Sequence, residues 1–356
     1  MNQQIPTLGR GIASADHSAR ATLRKTLIVC GALTVLLLLI VVIAATLGSE
    51  RVPVMDVLRA LFTGGTDTDA LTATQRAILF DIRLPRILLA ATVGASLAAA
   101  GASYQALLRN ALAEPYLLGI SNGAAVGTMV ALVFLGANEW TRPLMAFAGA
   151  LAATFVVYQL ARGRAGVSPE RLILAGVIVT TFQSSVIVFI TTLMDATRIR
   201  SFTFWLLGDL SQAAPGSLWV IVASTVVGVA ALTLKARPLN LLMLGERDAF
   251  DLGVEVGRVR LQVFLAASLL VGVSVALSGS VGYVGLVVPH LVRMSTSGDN
   301  RLTIPAAALA GASFVVVADT LARTVIAPRE LPVGAITALI GAPLFIYLLK
   351  RGSSAH

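Results

Sequence analysis

The sequence predicts an all-α polytopic membrane protein with about ten transmembrane helices, and three observations carry that prediction. Of 356 residues, 56% are hydrophobic and 13% charged, with mean hydropathy +0.85, whereas soluble globular chains carry roughly 25% charged residues. The stretch Thr26 to Gly48 holds no charge, and about 20 apolar residues at 1.5 Å rise are enough to cross a hydrocarbon core. Charge-poor segments then recur along the whole chain. The first is therefore read as a span rather than a cleaved signal, whose apolar run would be about 7 to 15 residues long and lead into a soluble chain.

Taken in order, the apolar segments bounded by charges, Gly or Pro lie near 26–48, 87–108, 116–136, 143–161, 172–194, 216–234, 261–278, 281–292, 303–322 and 333–349. The segment 281–292 is too short to span alone. Ten spans put both termini on one side. With the N-terminus inside, inner loops and tails hold 17 of the 27 basic residues and 8 of the 18 acidic ones, and outer loops hold 10 and 10. That is the bias the positive-inside rule requires. The chain thus reads as one membrane domain over residues 1–356, with a cytoplasmic tail at 1–25 and its longest inner segment at 235–260.

The longest outer segment, Ser49 to Pro85, contains VPVMDVLRALF, whose apolar residues fit an amphipathic surface helix. Within the spans, Gly94, Ser96, Ala98 and Gly101 recur as Gly272, Ser274, Ala276 and Gly279. The two stretches run in opposite directions, as inverted transporter repeats do, and small residues so spaced let helix backbones approach closely.

Several chemistries are excluded. The chain has no phosphate-loop, dinucleotide-glycine or H-E-x-x-H pattern. Its three histidines, His17, His290 and His356, cannot assemble a metal cluster, and His290 after Pro289 fits a helix-terminal role better than a catalytic triad. Cys30 stands alone inside the first span, which rules out a disulfide framework. The net charge of +9 and pI near 10.5 are explained by the inner loops, not by a nucleic-acid partner. Asp319, near the outer end of span nine, is the main ionisable residue within a span. A self-sufficient secondary transporter, the alternative reading, would need intramembrane carboxylates as relays. Energy supplied by a partner ATPase is the simpler reading, and no catalytic residue or resident metal is expected in this chain.

The motifs then bring a resemblance into view: RLPR at 83–86, GASLAAAGASYQALLRNALAEPYLLGISNGAAVG at 94–127, RLILAGV at 171–177, LNLLMLGERDAFDLG at 239–253, GYVGLVVPHLVR at 282–293 and ELPVGAITALIGAPLFIYLL at 330–349. In this order they resemble the FecCD-type permease subunits of ABC importers for ferric siderophores, haem and vitamin B12, over about residues 26 to 350. The resemblance implies a type II ABC importer permease bundle in the bacterial inner membrane. It also implies a homodimer around a central path, two ATP-binding cassette subunits that bind ATP and Mg inside, and a substrate-binding protein outside.

Site residues follow from the same resemblance. Arg83, Arg86 and Arg323 match outer-face arginines that pair with glutamates of the binding protein, a geometry that would give register and steering. On residue grounds alone they read more readily as interfacial anchors of helix ends. Leu244, Gly245, Glu246, Leu252 and Gly253 match the ATPase-coupling segment, and a fully solvated loop there would leave Leu242, Met243, Leu244, Phe250 and Leu252 wet. Asn110 and Leu112, with Ser168 and Pro169, match the cytoplasmic gate. There the usual Asn-Pro-Leu reads Asn110-Ala111-Leu112, and a Ser/Thr-rich turn reads Ser168-Pro169-Glu170. The path itself is expected to be lined by small and apolar residues of spans five, eight and ten. A ferric siderophore is the first substrate candidate, with cobalamin and haem beside it.

Overall fold

Helix is the form that a chain takes in lipid, because only internal hydrogen bonding satisfies every backbone group there. A computed structural model of the protein describes residues 8–353 apart from 49, 51, 64–70, 137, 139, 164–165, 212–214 and 297. The first seven residues of the tail expected at 1–25, and His356, lie outside the described residues.

In chain order the helices are α1 (Leu8–Thr46), α2 (Val54–Phe62), α3 (Ala73–Leu107), α4 (Ile120–Leu135), α5 (Thr141–Ala161), α6 (Pro169–Thr191) and α7 (Ala196–Leu206). They continue as α8 (Pro215–Leu234), α9 (Ala236–Leu244), α10 (Glu246–Asp251), α11 (Val256–Ser278), α12 (Val284–Ser295), α13 (Asn300–Thr324) and α14 (Val333–Ser353). A two-stranded antiparallel hairpin, Arg162–Gly163 with Gly166–Val167, joins α5 to α6. Among the described residues six helices are long and apolar enough to cross a membrane, and α8 with α9, bent by 47°, makes a seventh candidate. The remaining expected segments, 116–136, 281–292 and 333–349, are shorter apolar helices.

The core is built on α3, whose apolar stretch is 83% buried, against α13, α11, α8 and α12. By contrast α1 is 6% buried over its apolar stretch and presents Leu27, Ile28, Val35, Leu38 and Ile43 outward. Glycine sets the close contacts: a Cβ on Gly94 would lie 2.1 Å from the Gly311 carbonyl oxygen, and one on Gly101 would lie 1.9 Å from that of Gly285. The sequence echo is not repeated in packing. A Cβ on Gly272 meets only side chains at ordinary contact distance, whereas Gly279 is a turn residue at φ +69° under the Trp205 carbonyl. The expectation that both stretches serve close helix approach therefore holds for the first one only.

Two elements differ from the sequence expectation. Residues 73–83, expected in an outer loop, continue α3 outward through a wider π-turn at Ile78–Arg83, so Arg83 and Arg86 sit inside a helix. Pro85 is tolerated because it falls in the first turn after that break. The helix α7 lies in what the sequence marks only as an outer connection; Asp195 caps it by accepting from Arg198 N–H at 2.9 Å.

The short helices α4 and α12 meet at their starts. After α11 the chain runs without helix from Gly279 to Tyr283, where Tyr283, at φ +67°, opens α12. This run lies against the turn Pro115–Leu118 ahead of α4: the Tyr116 hydroxyl donates to the Val281 carbonyl at 3.1 Å, and Tyr283 N–H donates to Glu114 Oε1 at 3.2 Å. Twelve residues span about 18 Å at 1.5 Å per residue, short of the roughly 30 Å core. The segment that looked too short to span starts inside the protein.

Candidate functional site

At the outer end, charge is gathered where the spans α3 and α13 emerge. Asp319 is fully buried on α13; its Oδ1 accepts from Arg86 Nε at 2.9 Å, and its Oδ2 pairs with Arg323 Nε at 3.0 Å, one turn along the same helix. Arg86 also donates to Glu330 Oε2 at 2.7 Å, bridging to the connection ahead of α14. Arg83 is turned toward the end of α1, donating to the Ala45 carbonyl at 2.9 Å and to that of Glu50. Carbonyls at a helix end have no partner within the helix, so a guanidinium is a natural cap for them.

The three arginines expected to face a binding protein are therefore 4–8% exposed. They are not free surface residues: α3 continues past Arg83 and Arg86, the carboxylates of Asp319 and Glu330 hold Arg86, Asp319 holds Arg323, and backbone carbonyls hold Arg83. They nonetheless line an open cavity of about 470 Å³ with Gly48, Glu50, Ile78, Ile82 and Glu330. Asp319 and Glu330 are the partners that sequence reasoning did not assign; the Asp319/Arg323 spacing of four on one helix was the available signal.

The inner end is built differently. Gly245, at φ +146°, breaks α9 from α10 in a conformation that L side chains rarely adopt. Leu239, Leu242 and Ala249 are buried beneath the pair, while Met243, Leu244, Phe250 and Leu252 are exposed, the last three at 63–71%. Of the five apolar residues that would be wet in a loop, only Leu242 is covered. Asn240 fixes α9 to the start of α13, donating to Asp299 Oδ1 at 2.6 Å and accepting from Asn300 N–H at 2.9 Å. Glu246 turns inward. It pairs tightly with Arg260 at the start of α11 and more loosely, at 3.8 Å, with Arg109. Residues 256–260 of the expected coupling segment already belong to α11.

The residues expected at the gate hold up loop ends. Asn110 Oδ1 accepts from Leu112 N–H at 2.9 Å, closing a local turn that leaves Leu112 exposed. Ser168 caps α6, with Arg171 N–H 3.4 Å from its hydroxyl, and Pro169 takes the first helical position, where its missing N–H is harmless. Next to the first of these loops Glu114 is partly buried, and that burial pushes its carboxyl above the ordinary glutamate range, partly offset by the Tyr283 N–H. His290 on α12 packs edge-on to Phe345, with ring centroids 6.1 Å apart.

These features define a polytopic transport permease, and comparison with known proteins supplies its family. Residues 36–351 match the FecCD transport family. The hemin transport system permease protein of Yersinia pestis is 40% identical over 88% of this chain and 94% of its own length. The cobalamin import system permease protein of Halobacterium salinarum is 38% identical over 89% of this chain and 94% of its own. Among solved structures, a metal-chelate type ABC transporter in an inward-facing conformation superposes with a TM-score of 0.78 at 31% identity, covering 92% of this chain and 99% of that one. The chain belongs to the FecCD transport family and is a multi-pass membrane permease of the ABC importer type.

Proposed function

We propose that the chain is the membrane subunit of an ATP-driven importer. It receives a metal chelate from an extracytoplasmic binding protein and releases it into the cytoplasm as the complex alternates between outward and inward states. Two copies form the path, both termini are cytoplasmic, and two ATP-binding cassette subunits supply ATP hydrolysis with their own bound ATP and Mg. The substrate is a ferric siderophore, with haem and cobalamin, named for its relatives, as the other candidates. The chain itself does no bond chemistry.

The observation that carries this reading is the exposed apolar triad Leu244, Phe250 and Leu252 on two short helices tied to the bundle by Asn240 and Glu246. A patch set among charged residues at a span end is neither lipid-facing nor core, and such patches mark protein partners. For the second copy, α6 supports the reading: Thr181, Ser184 and Ser185 are exposed beside Phe182 and Phe189. Hydroxyls on a span's open face suit a path better than lipid.

The test is ATP hydrolysis by the chain co-purified in lipid with a partner ATPase, with and without binding protein loaded with ferric hydroxamate, haem or cyanocobalamin. Stimulation by one loaded form identifies the substrate. Failure to co-purify, or uptake without ATP, replaces the importer with a secondary carrier.

A further inference from the structure

The contact made by Glu246 divides the inner helices into two jobs. Its neighbours Leu244, Phe250 and Leu252 point away from the bundle, whereas its carboxylate points into it, onto Arg260. The Arg260 side chain is 8% exposed and uses two of its guanidinium nitrogens on different elements. One meets Glu246 Oε1 at the head of α10, and the other meets the Val167 carbonyl at the end of the hairpin. Val167 immediately precedes Ser168, the cap of α6. Arg260 itself stands in the first turns of α11. The consecutive helices α10 and α11 and the hairpin, 93 positions before Arg260, thus meet at one guanidinium. A fourth is added through Glu246, because Arg109, held at φ +49° in the loop ahead of α4, lies 3.8 Å from the same carboxylate oxygen.

We infer that Glu246 and Arg260 are a positioning pair that locks the two short inner helices to the loop ahead of α6, so that the exposed apolar patch and the start of the path-facing helix move as one body. The inference rests on the importer reading for its purpose, but not for its geometry. Planar guanidinium suits this role because its donors diverge in a fixed fork and satisfy a carboxylate and a carbonyl together, which a lysine ammonium does less well. Coupling between distant sites needs a physically connected element that moves between discrete arrangements. Here the connection joins a nearly buried guanidinium to a half-exposed carboxylate, and the Arg109 contact, longer and half-exposed on both sides, adds little because solvent screens it.

The experiment measures the distance between nitroxide labels at Glu170 and Asp251, both exposed, in the full chain in lipid with Cys30→Ala. The native pair should give a single narrow distribution. Arg260→Gln, which removes both contacts, should broaden it most, and Glu246→Gln, a change at the half-exposed partner that does not threaten insertion, should broaden it as well. The double variant should be no broader than Arg260→Gln alone, as a shared interaction requires. A narrow distribution in either single variant, or additive broadening in the double one, overturns the inference. Association with the ATPase is read separately on the unlabelled chain, so its absence would remove the importer reading while leaving the measured behaviour of the pair as it stands.

Discussion

The two ends of the protein handle exposed chemistry in opposite ways. At the end expected outside, three arginines and Asp319 are withdrawn from solvent, Arg86 and Arg323 matched to Asp319 and Arg83 to backbone carbonyls. At the inner end, polar groups such as Asn240 and Glu246 are the ones turned inward, and apolar side chains are left outside. Under the proposed importer reading, the outer site is a preformed electrostatic cavity for the binding protein, with little of the ordering cost that flexible charges would add. Under the same reading, the inner site would gain its binding energy from apolar area that the ATPase covers. The difference matches a transient contact outside and a lasting one inside.

The comparison is broken most severely at Asp319. Asp319→Asn leaves Arg86 and Arg323 side by side with one carboxylate, Glu330, still half-exposed, and removing one member of a buried pair costs about 3–5 kcal/mol. The thermal unfolding midpoint of the purified chain should fall well below that of the native protein. Arg83→Gln, whose partners are carbonyls, should fall less. Equal effects would mean that the outer cluster is held by packing and not by charge.

Second in size is Phe250→Asp. Its ring is 71% exposed, so the folded chain should keep its thermal midpoint. Losing a buried aromatic at an interface costs about 1.5–3 kcal/mol, which is roughly 10- to 150-fold in affinity for the ATPase. Affinity measured by titration in lipid checks this. An unchanged affinity moves the docking surface away from α10.

Much of this division was legible in the sequence and some was not, for identifiable reasons. All ten apolar segments became helices because burying a backbone in lipid leaves few other options. The placing of the motif at Leu244–Gly253 on the inner side is an expectation that rests on counting charges alone. What escaped was depth. Arg83 and Arg86 look like loop residues, since a charge normally ends an apolar span; the carboxylate of Asp319, 233 positions away from Arg86, and the carbonyls of Ala45 and Glu50 beside Arg83 explain how α3 passes through them. For the same reason the start of α12 inside the protein was invisible. A pattern of hydropathy cannot show that Tyr283 finds Glu114. Ser168 and Pro169 match a gate by resemblance, yet their contacts are those of a helix cap.

Between the ends the interior must be stiff, and Gly101→Ala tests that. Its new Cβ would lie 1.9 Å from the Gly285 carbonyl, which is backbone and cannot swing aside. Overpacking of this kind costs about 1–3 kcal/mol. The thermal midpoint should drop, and Gly257→Ala, whose Cβ meets nothing within 4 Å, should leave it in place. If Gly101→Ala is also neutral, α3 and α12 can slide apart, and the two ends are less firmly joined than their contacts imply.

The smallest effect sharpens the contrast between two carboxylates. Asp319 is met by two guanidinium groups, whereas Glu114 is met by a backbone N–H and is pushed above the ordinary glutamate range by burial. A raised native pKa means that the folded chain binds more protons than the unfolded one in the interval between the ordinary and the raised values. Stability from this group is thus fully present below about pH 4.5, the ordinary value, and is lost as pH rises through the native one. Glu114→Gln, which keeps an acceptor for Tyr283 N–H without the charge, should flatten that part of the pH profile of the unfolding midpoint and leave the rest unchanged. A slope that persists in the variant would assign it to another group and would mean that Glu114 stays ionised at the meeting point of the two short helices, held there by the Tyr283 N–H at the head of α12.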